Sequence, residues 1–159
     1  SVMKQAIGYF TLDEIPDGKN LWMLATGTAL GVFLAMLKTS LPWQRFEKII
    51  LVHSVRYSEE LIYQDLIEKL KQSHPDQLIY ISAVTRCKVE GSYNNRITKG
   101  FSTGEFENHT QIKIDEDSQF MICGNPEMIK ETTDILKGFG LNKNRRANPG
   151  NITVERYWV

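Results

Sequence analysis

Continuous apolar runs alternate with stretches of helical spacing along most of this chain. The first run, Leu21-Trp22-Met23-Leu24-Ala25, passes straight into Thr26-Gly27-Thr28, after which Leu30, Phe33, Leu34 and Leu37 recur at helical intervals. An unbroken apolar run suits a strand buried on both faces, and the spacing that follows is one face of a helix. Pro42 breaks that helix, and Ile49 to Val52 form the second run. Ser58, three residues before Leu61, predicts the start of the next helix, with Glu59 and Glu60 favouring its dipole and Ile62, Leu66, Ile67 and Leu70 on its buried face. His74-Pro75-Asp76 closes it, and Leu78 to Val84 reads as the third strand. Phe120-Met121-Ile122-Cys123 is the fourth, ending at Gly124-Asn125-Pro126, where proline suits the first positions of a helix lined by Met128, Ile129, Ile135 and Leu136. Gly138 and Gly140 end this helix, and Ile152 with Val154 marks a short last strand.

This alternation predicts an α/β fold: a three-layer, Rossmann-like parallel sheet of about five strands with helices on both faces. Two regions stand outside it. Cys87 to Ser118 is polar and poorly periodic, with short helices expected near Ile97–Phe101 and Gly104–Glu107. Gly8 to Pro16 reads as an extended strand ending at a Pro-Asp-Gly turn. It has no place in the alternation and is expected to belong to a neighbouring unit of a longer polypeptide.

Composition narrows the function classes. The 159 residues suit one domain, and nineteen basic residues balance nineteen acidic ones, so no whole-chain field of a nucleic-acid or acidic-membrane binder exists. Two cysteines, Cys87 and Cys123, are too few for a disulfide framework and lack metal-ligand spacing. A cytoplasmic setting is the natural expectation, with no metal site. No apolar stretch reaches the ~20 residues that span a bilayer.

In a doubly wound sheet the ligand lies beyond the carboxyl ends of the strands, which makes the strand exits the places to search. At the first exit, Thr26, Gly27, Thr28 and Ala29 precede a helix, whose leading N–H groups attract anions. The full three-glycine dinucleotide fingerprint is absent. At the second exit Arg56 stands where an NAD-binding sheet carries an acid, Arg86 follows the third strand, and Arg96 lies ten residues on. Three guanidinium groups would suit a ribose 2′-phosphate. At ~1.5 to 3 kcal/mol for each charge-assisted hydrogen bond, two of them favour a phosphorylated cofactor by roughly 100-fold. Taken singly, an arginine at a strand end is more often a solvated surface residue or an ion-pair partner. His53, His74 and His109 show no triad pattern, and Cys123 at a buried strand end reads as a small hydrophobe.

Several motifs together resemble the bacterial ferredoxin (flavodoxin) NADP+ reductases. They are Gly-Tyr-Phe-Thr-Leu-Asp-Glu-Ile-Pro from Gly8, Leu-Trp-Met-Leu-Ala-Thr-Gly-Thr-Ala-Leu-Gly, Leu-Val-His-Ser-Val-Arg-Tyr, Val-Thr-Arg, Gly-Ser-Tyr-Asn-Asn-Arg-Ile, Cys-Gly-Asn-Pro-Glu-Met and the terminal Val-Glu-Arg-Tyr-Trp. The resemblance implies that Thr26, Gly27, Thr28 and Ala29 bind the NADP pyrophosphate and that Arg56, Arg86 and Arg96 hold the 2′-phosphate and adenosine. It implies that Cys123 and Gly124 lie beside the nicotinamide, with Asn125, Pro126 and Met128 lining the site. Glu155 and Tyr157 match positions near the flavin, so that Cys123, Glu155 and Tyr157 are the implied catalytic residues, and Trp158 resembles a terminal Trp that packs on the FAD adenine.

Two departures accompany the resemblance: Val32 replaces a common proline, and the chain runs one residue past Trp158, to Val159. The family's FAD-binding barrel, with its Arg-x-Tyr-Ser motif, has no counterpart segment here. The expectation is therefore an NADP(H)-binding domain over residues 19–159, preceded over 1–18 by the residual end of such a barrel. The partners it implies are FAD in the full-length enzyme and ferredoxin or flavodoxin as electron carrier, with a monomeric, membrane-free protein. Reductases of oxygenase or flavin-reductase systems, and a stand-alone NADP-binding sensor, remain the alternatives.

Overall fold

A computed structural model describes residues 10–156. Five parallel strands, β1 (Asn20–Thr26), β2 (Lys48–Val55), β3 (Leu78–Val84), β4 (Ser118–Gly124) and β5 (Ile152–Arg156), form one sheet in the order β3-β2-β1-β4-β5. The helices are α1 (Leu30–Leu37), α2 (Leu41–Arg45), α3 (Gln64–Ser73), α4 (Ile97–Ser102), α5 (Glu105–Thr110) and α6 (Pro126–Gly138). The expected α/β architecture is the one found.

Alternate residues of β1 feed the two faces of the sheet. Leu21, Met23 and Ala25 join Phe33 of α1 and Ile67 of α3, whereas Trp22 and Leu24 join Phe101 of α4, Phe106 of α5 and Leu136 of α6. Every residue of β1 through Ala25 is buried, which is why its sequence is a run and not an alternation. On the second face Trp22 stacks on Phe120 at 5.6 Å between ring centroids and meets Phe101 edge-on at 5.4 Å. Such pairs add ~0.5 to 1.5 kcal/mol each beyond their buried area.

Three local expectations are corrected. The part of Gly8–Pro16 that is described is not an extended strand: Leu12–Glu14 is a 3-10 turn. An i,i+3 turn brings Leu12 and Ile15 to one side, and both are buried with Phe10 among the side chains around α1. Arg45 fixes the segment by donating to the carbonyls of Leu12 and Ile15 at 2.6 and 2.7 Å. Pro42 does more than end α1, since it occupies the first turn of α2. The helix expected from Ser58 begins only at Gln64. Glu60 accepts the N–H of Tyr57 at 3.0 Å, closing a separate 3-10 turn over Ser58–Glu60, and Tyr63 at φ 63° turns the chain into α3. Ile62 is thereby left exposed.

Among the described residues no helix is long and apolar enough to cross a membrane, and no group of three metal-ligating side chains occurs.

Candidate functional site

The chain leaves β1 toward β2 and β3, then returns to lay β4 on the other side of β1. Crossovers therefore depart in opposite directions at β1 and β4, and a crevice opens beyond their carboxyl ends. A cleft of about 1090 Å³ occupies that place, lined by residues from the ends of β1, β2, β3 and β4 and from the starts of α4 and α6.

At the β1–β4 side the cleft floor is held by hydrogen bonds between neighbouring exits. The Asn125 N–H donates to Thr26 Oγ1 at 2.9 Å. Gly124 has φ 145°, and a Cβ there would land on that same Thr26 hydroxyl. Glycine is required for both reasons, the positive φ and the close approach. Asn125 Oδ1 accepts the N–H groups of Glu127 and Met128 at 2.8 and 3.3 Å, capping α6, with Pro126 in the first turn. Asn125, Pro126 and Met128 line the cleft, and Met128 also packs into the core below.

Gly27 opens a 3-10 turn (Gly27–Ala29) before α1, at φ 54°. Thr26 and Gly27 line the cleft; Thr28 is exposed but does not line it, and Ala29 is fully buried away from it. The imidazole of His53 on β2 reaches the Gly27 carbonyl, with Nε2 2.8 Å from the oxygen. Burial pushes this histidine below its usual range, offset in part by that bond and by the charge of Glu60. It is therefore neutral at pH 7.

Arg56, Arg86 and Arg96 all line the same cleft. Backbone bonds continue the sheet past its last residues: Thr85 N–H donates to Val55 O and Arg86 N–H to Arg56 O, at 3.0 and 2.9 Å. This pairing holds the backbones of Arg56 and Arg86 together at the cleft edge. Arg96, at the entrance to α4, pairs with Glu131 of α6 at 3.2 Å, both side chains being partly exposed. Neither Arg56 nor Arg86 has an ion-pair partner among the described residues. Ser54, Glu60, Thr85, Asn95 and Thr98 also line the cleft and were not singled out from the sequence, although each adjoins or follows a strand exit that was.

Cys123 and Glu155 lie elsewhere. They are register partners on β4 and β5, and Cys123 is wholly buried among the apolar side chains around α1, not on the cleft. Burial, with Glu155 adding a smaller effect, pushes its thiol up to about 12. It is a thiol and not a thiolate at neutral pH. Burial also raises the Glu155 carboxyl. Tyr157 and Trp158, like Gly8 and Tyr9, lie outside the described residues.

The family described as the oxidoreductase NAD-binding domain matches residues 23–134. The chain is 40% identical to a flavodoxin/ferredoxin–NADP reductase of Buchnera aphidicola subsp. Baizongia pistaciae over 99% of its own length and 64% of that protein's. It is 38% identical to the protein of that name from Escherichia coli K12, with the same two coverages. It thus spans under two thirds of the length of these relatives. A solved ferredoxin NADP+ reductase from Neisseria gonorrhoeae, with bound FAD and NADP, is similar in structure at a TM-score of 0.86 and 33% identity, over 93% of this chain and 60% of that one.

Proposed function

Because this chain belongs to the oxidoreductase NAD-binding domain family, we propose that it binds NADP(H) in the cleft and acts as the nucleotide half of a ferredoxin/flavodoxin NADP+ reductase. The observation that carries this reading is the convergence of Arg56, Arg86 and Arg96 on the cleft that also holds the Thr26–Gly27 turn. A phosphorylated dinucleotide presents anionic groups at two places, and the cleft offers an anion-attracting turn at one side and guanidinium groups at the other.

The residues fit that ligand by their own geometry. At Gly27 nothing stands where a side chain would begin, and Arg56 and Arg86 present charge that no described acid neutralises. The turn would take the pyrophosphate, the arginines the 2′-phosphate and adenosine, and Asn125, Pro126 and Met128 the neighbourhood of the nicotinamide. When bound, NADP(H) supplies a hydride at the nicotinamide, and FAD, held mainly by polypeptide outside this chain, divides the electron pair for a one-electron carrier.

Cys123 and Glu155 would stand at the margin of the reacting groups. Buried and protonated, Cys123 acts there by shape and not as a nucleophile. Ferredoxin or flavodoxin is the carrier, as in the names of the similar proteins. The loop bearing Lys143, Arg145 and Arg146 offers it positive charge, though Arg146 already meets Glu14 at 3.6 Å. A monomer in the cytoplasm belongs to the same proposal.

Calorimetric titration of the chain with NADP+ and with NAD+ tests the reading. NADP+ should bind roughly 100-fold more tightly at low salt, the ratio that two charge-assisted bonds to the extra phosphate would yield. Equal affinities would overturn it.

A further inference from the structure

We propose that His53 is a positioning residue that aims the anion-binding turn, by holding the Gly27 carbonyl away from the bound dinucleotide's pyrophosphate. The inference rests on the NADP(H) reading above. His53 lies within β2, in the run Lys-Ile-Ile-Leu-Val-His-Ser-Val, and is fully buried. An aliphatic side chain would satisfy such a place. The imidazole instead leaves Nδ1 buried without a partner, an arrangement that native interiors mostly avoid. What this side chain contributes must lie at its other nitrogen.

There Nε2 lies 2.8 Å from the Gly27 carbonyl oxygen. A carbonyl only accepts, so Nε2 carries the hydrogen and the tautomer is set. The same carbonyl accepts the N–H of Leu30, so two donors fix its direction. In a planar trans peptide the carbonyl of one residue and the N–H of the next point in opposite directions. Drawing the Gly27 carbonyl toward His53 therefore turns the Thr28 N–H away from it, and Thr28 is an exposed residue. The first N–H groups of a helical turn have no partner within it and are the ones an anion takes.

Without the imidazole, the peptide between Gly27 and Thr28 would be held by Leu30 alone. Gly27, at φ 54° with no neighbour near its missing Cβ, offers little resistance to rotation. A carbonyl swung toward the cleft would set a partial negative charge against the pyrophosphate.

The test compares two ligands and two substitutions in the full chain. NADP+ carries the pyrophosphate; adenosine 2′-phosphate carries only the groups that the arginines would hold. His53→Leu should weaken NADP+ by about tenfold, the scale of one misdirected charge-assisted hydrogen bond, and leave adenosine 2′-phosphate unchanged. His53→Gln has a side-chain amide nitrogen the same number of bonds from Cα and should restore NADP+ binding to within about threefold. Equal weakening of both ligands by His53→Leu would overturn the inference by showing general damage to the fold. So would unchanged NADP+ binding, or failure of glutamine to rescue. If the unsubstituted chain binds adenosine 2′-phosphate but not NADP+, the nucleotide reading itself falls, a result separable from any effect of His53.

Discussion

At the β1–β4 side of the cleft, side chains are used to hold backbone: His53 on Gly27, Thr26 on Asn125, and Asn125 on the first N–H groups of α6. Across the cleft Arg56 and Arg86 are exposed, and Arg96 pairs with the partly exposed Glu131. The first side resembles an interior, where polar side chains hold fixed backbone partners and errors are costly. The second resembles a surface, where charges act through solvent and single pairs contribute little. A site built this way separates two tasks, since fixed backbone decides which shape enters and charge decides which of two similar shapes is preferred.

The largest blow to this contrast is aimed at the fixed side. Gly124→Ala places a methyl group on the Thr26 hydroxyl at a φ that alanine resists, and should lower unfolding stability by about 3 kcal/mol. Denaturant titration reads this, and a loss under about 1 kcal/mol would show the exits to be less rigid than described. NADP+ and NAD+ should suffer alike, because the damage is to shape.

Arg86→Ala should reverse that pattern. Stability is expected to stay within about 0.5 kcal/mol, as for most surface substitutions, while NADP+ binding falls about tenfold and NAD+ binding hardly changes. Raising the salt concentration should weaken NADP+ in the unsubstituted chain and do so less in this variant. A parallel loss for both nucleotides would mean that Arg86 shapes the cleft and does not select between them.

The smallest effect tests the link between the two sides. Glu131 on α6 holds Arg96 and also competes with any anion for it. Glu131→Gln should alter stability by less than about 0.5 kcal/mol and tighten NADP+ by about twofold. Weaker binding would instead make Glu131 a support that Arg96 needs.

The same contrast decides what was legible in the sequence. The strands were, since a parallel strand covered on both faces must be an apolar run: Leu78–Val84 stands as expected, and Ile49–Val52 extends only to Lys48 and Val55. The arginines were legible because charge at a strand exit is a local sign. The locks were not. Thr26 stands in the sequence as part of an anion-binding turn, yet its hydroxyl oxygen accepts the N–H of Asn125, just past the end of β4. His53 reads as an isolated histidine, because its partner lies in the turn that follows the neighbouring strand. Cys123 follows a motif, but the alternation of β4 carries its thiol to the face around α1. The turn at Leu12–Glu14 depends on Arg45, thirty or more residues away, whose donors meet the carbonyls of Leu12 and Ile15. In each case the deciding partner is distant in sequence, and local periodicity carries no trace of it.

The bond between Thr26 and Asn125 joins residues 99 apart in the chain. Contacts of such separation close late, because the loop entropy must be met before the contact rewards it. A chain folded only through β3 would own Arg56 and Arg86 but no closed cleft floor. On the proposed reading nucleotide would then be a ligand of the completed fold alone, and by mass action its binding would add to the native state's margin over the unfolded ensemble without favouring any earlier species.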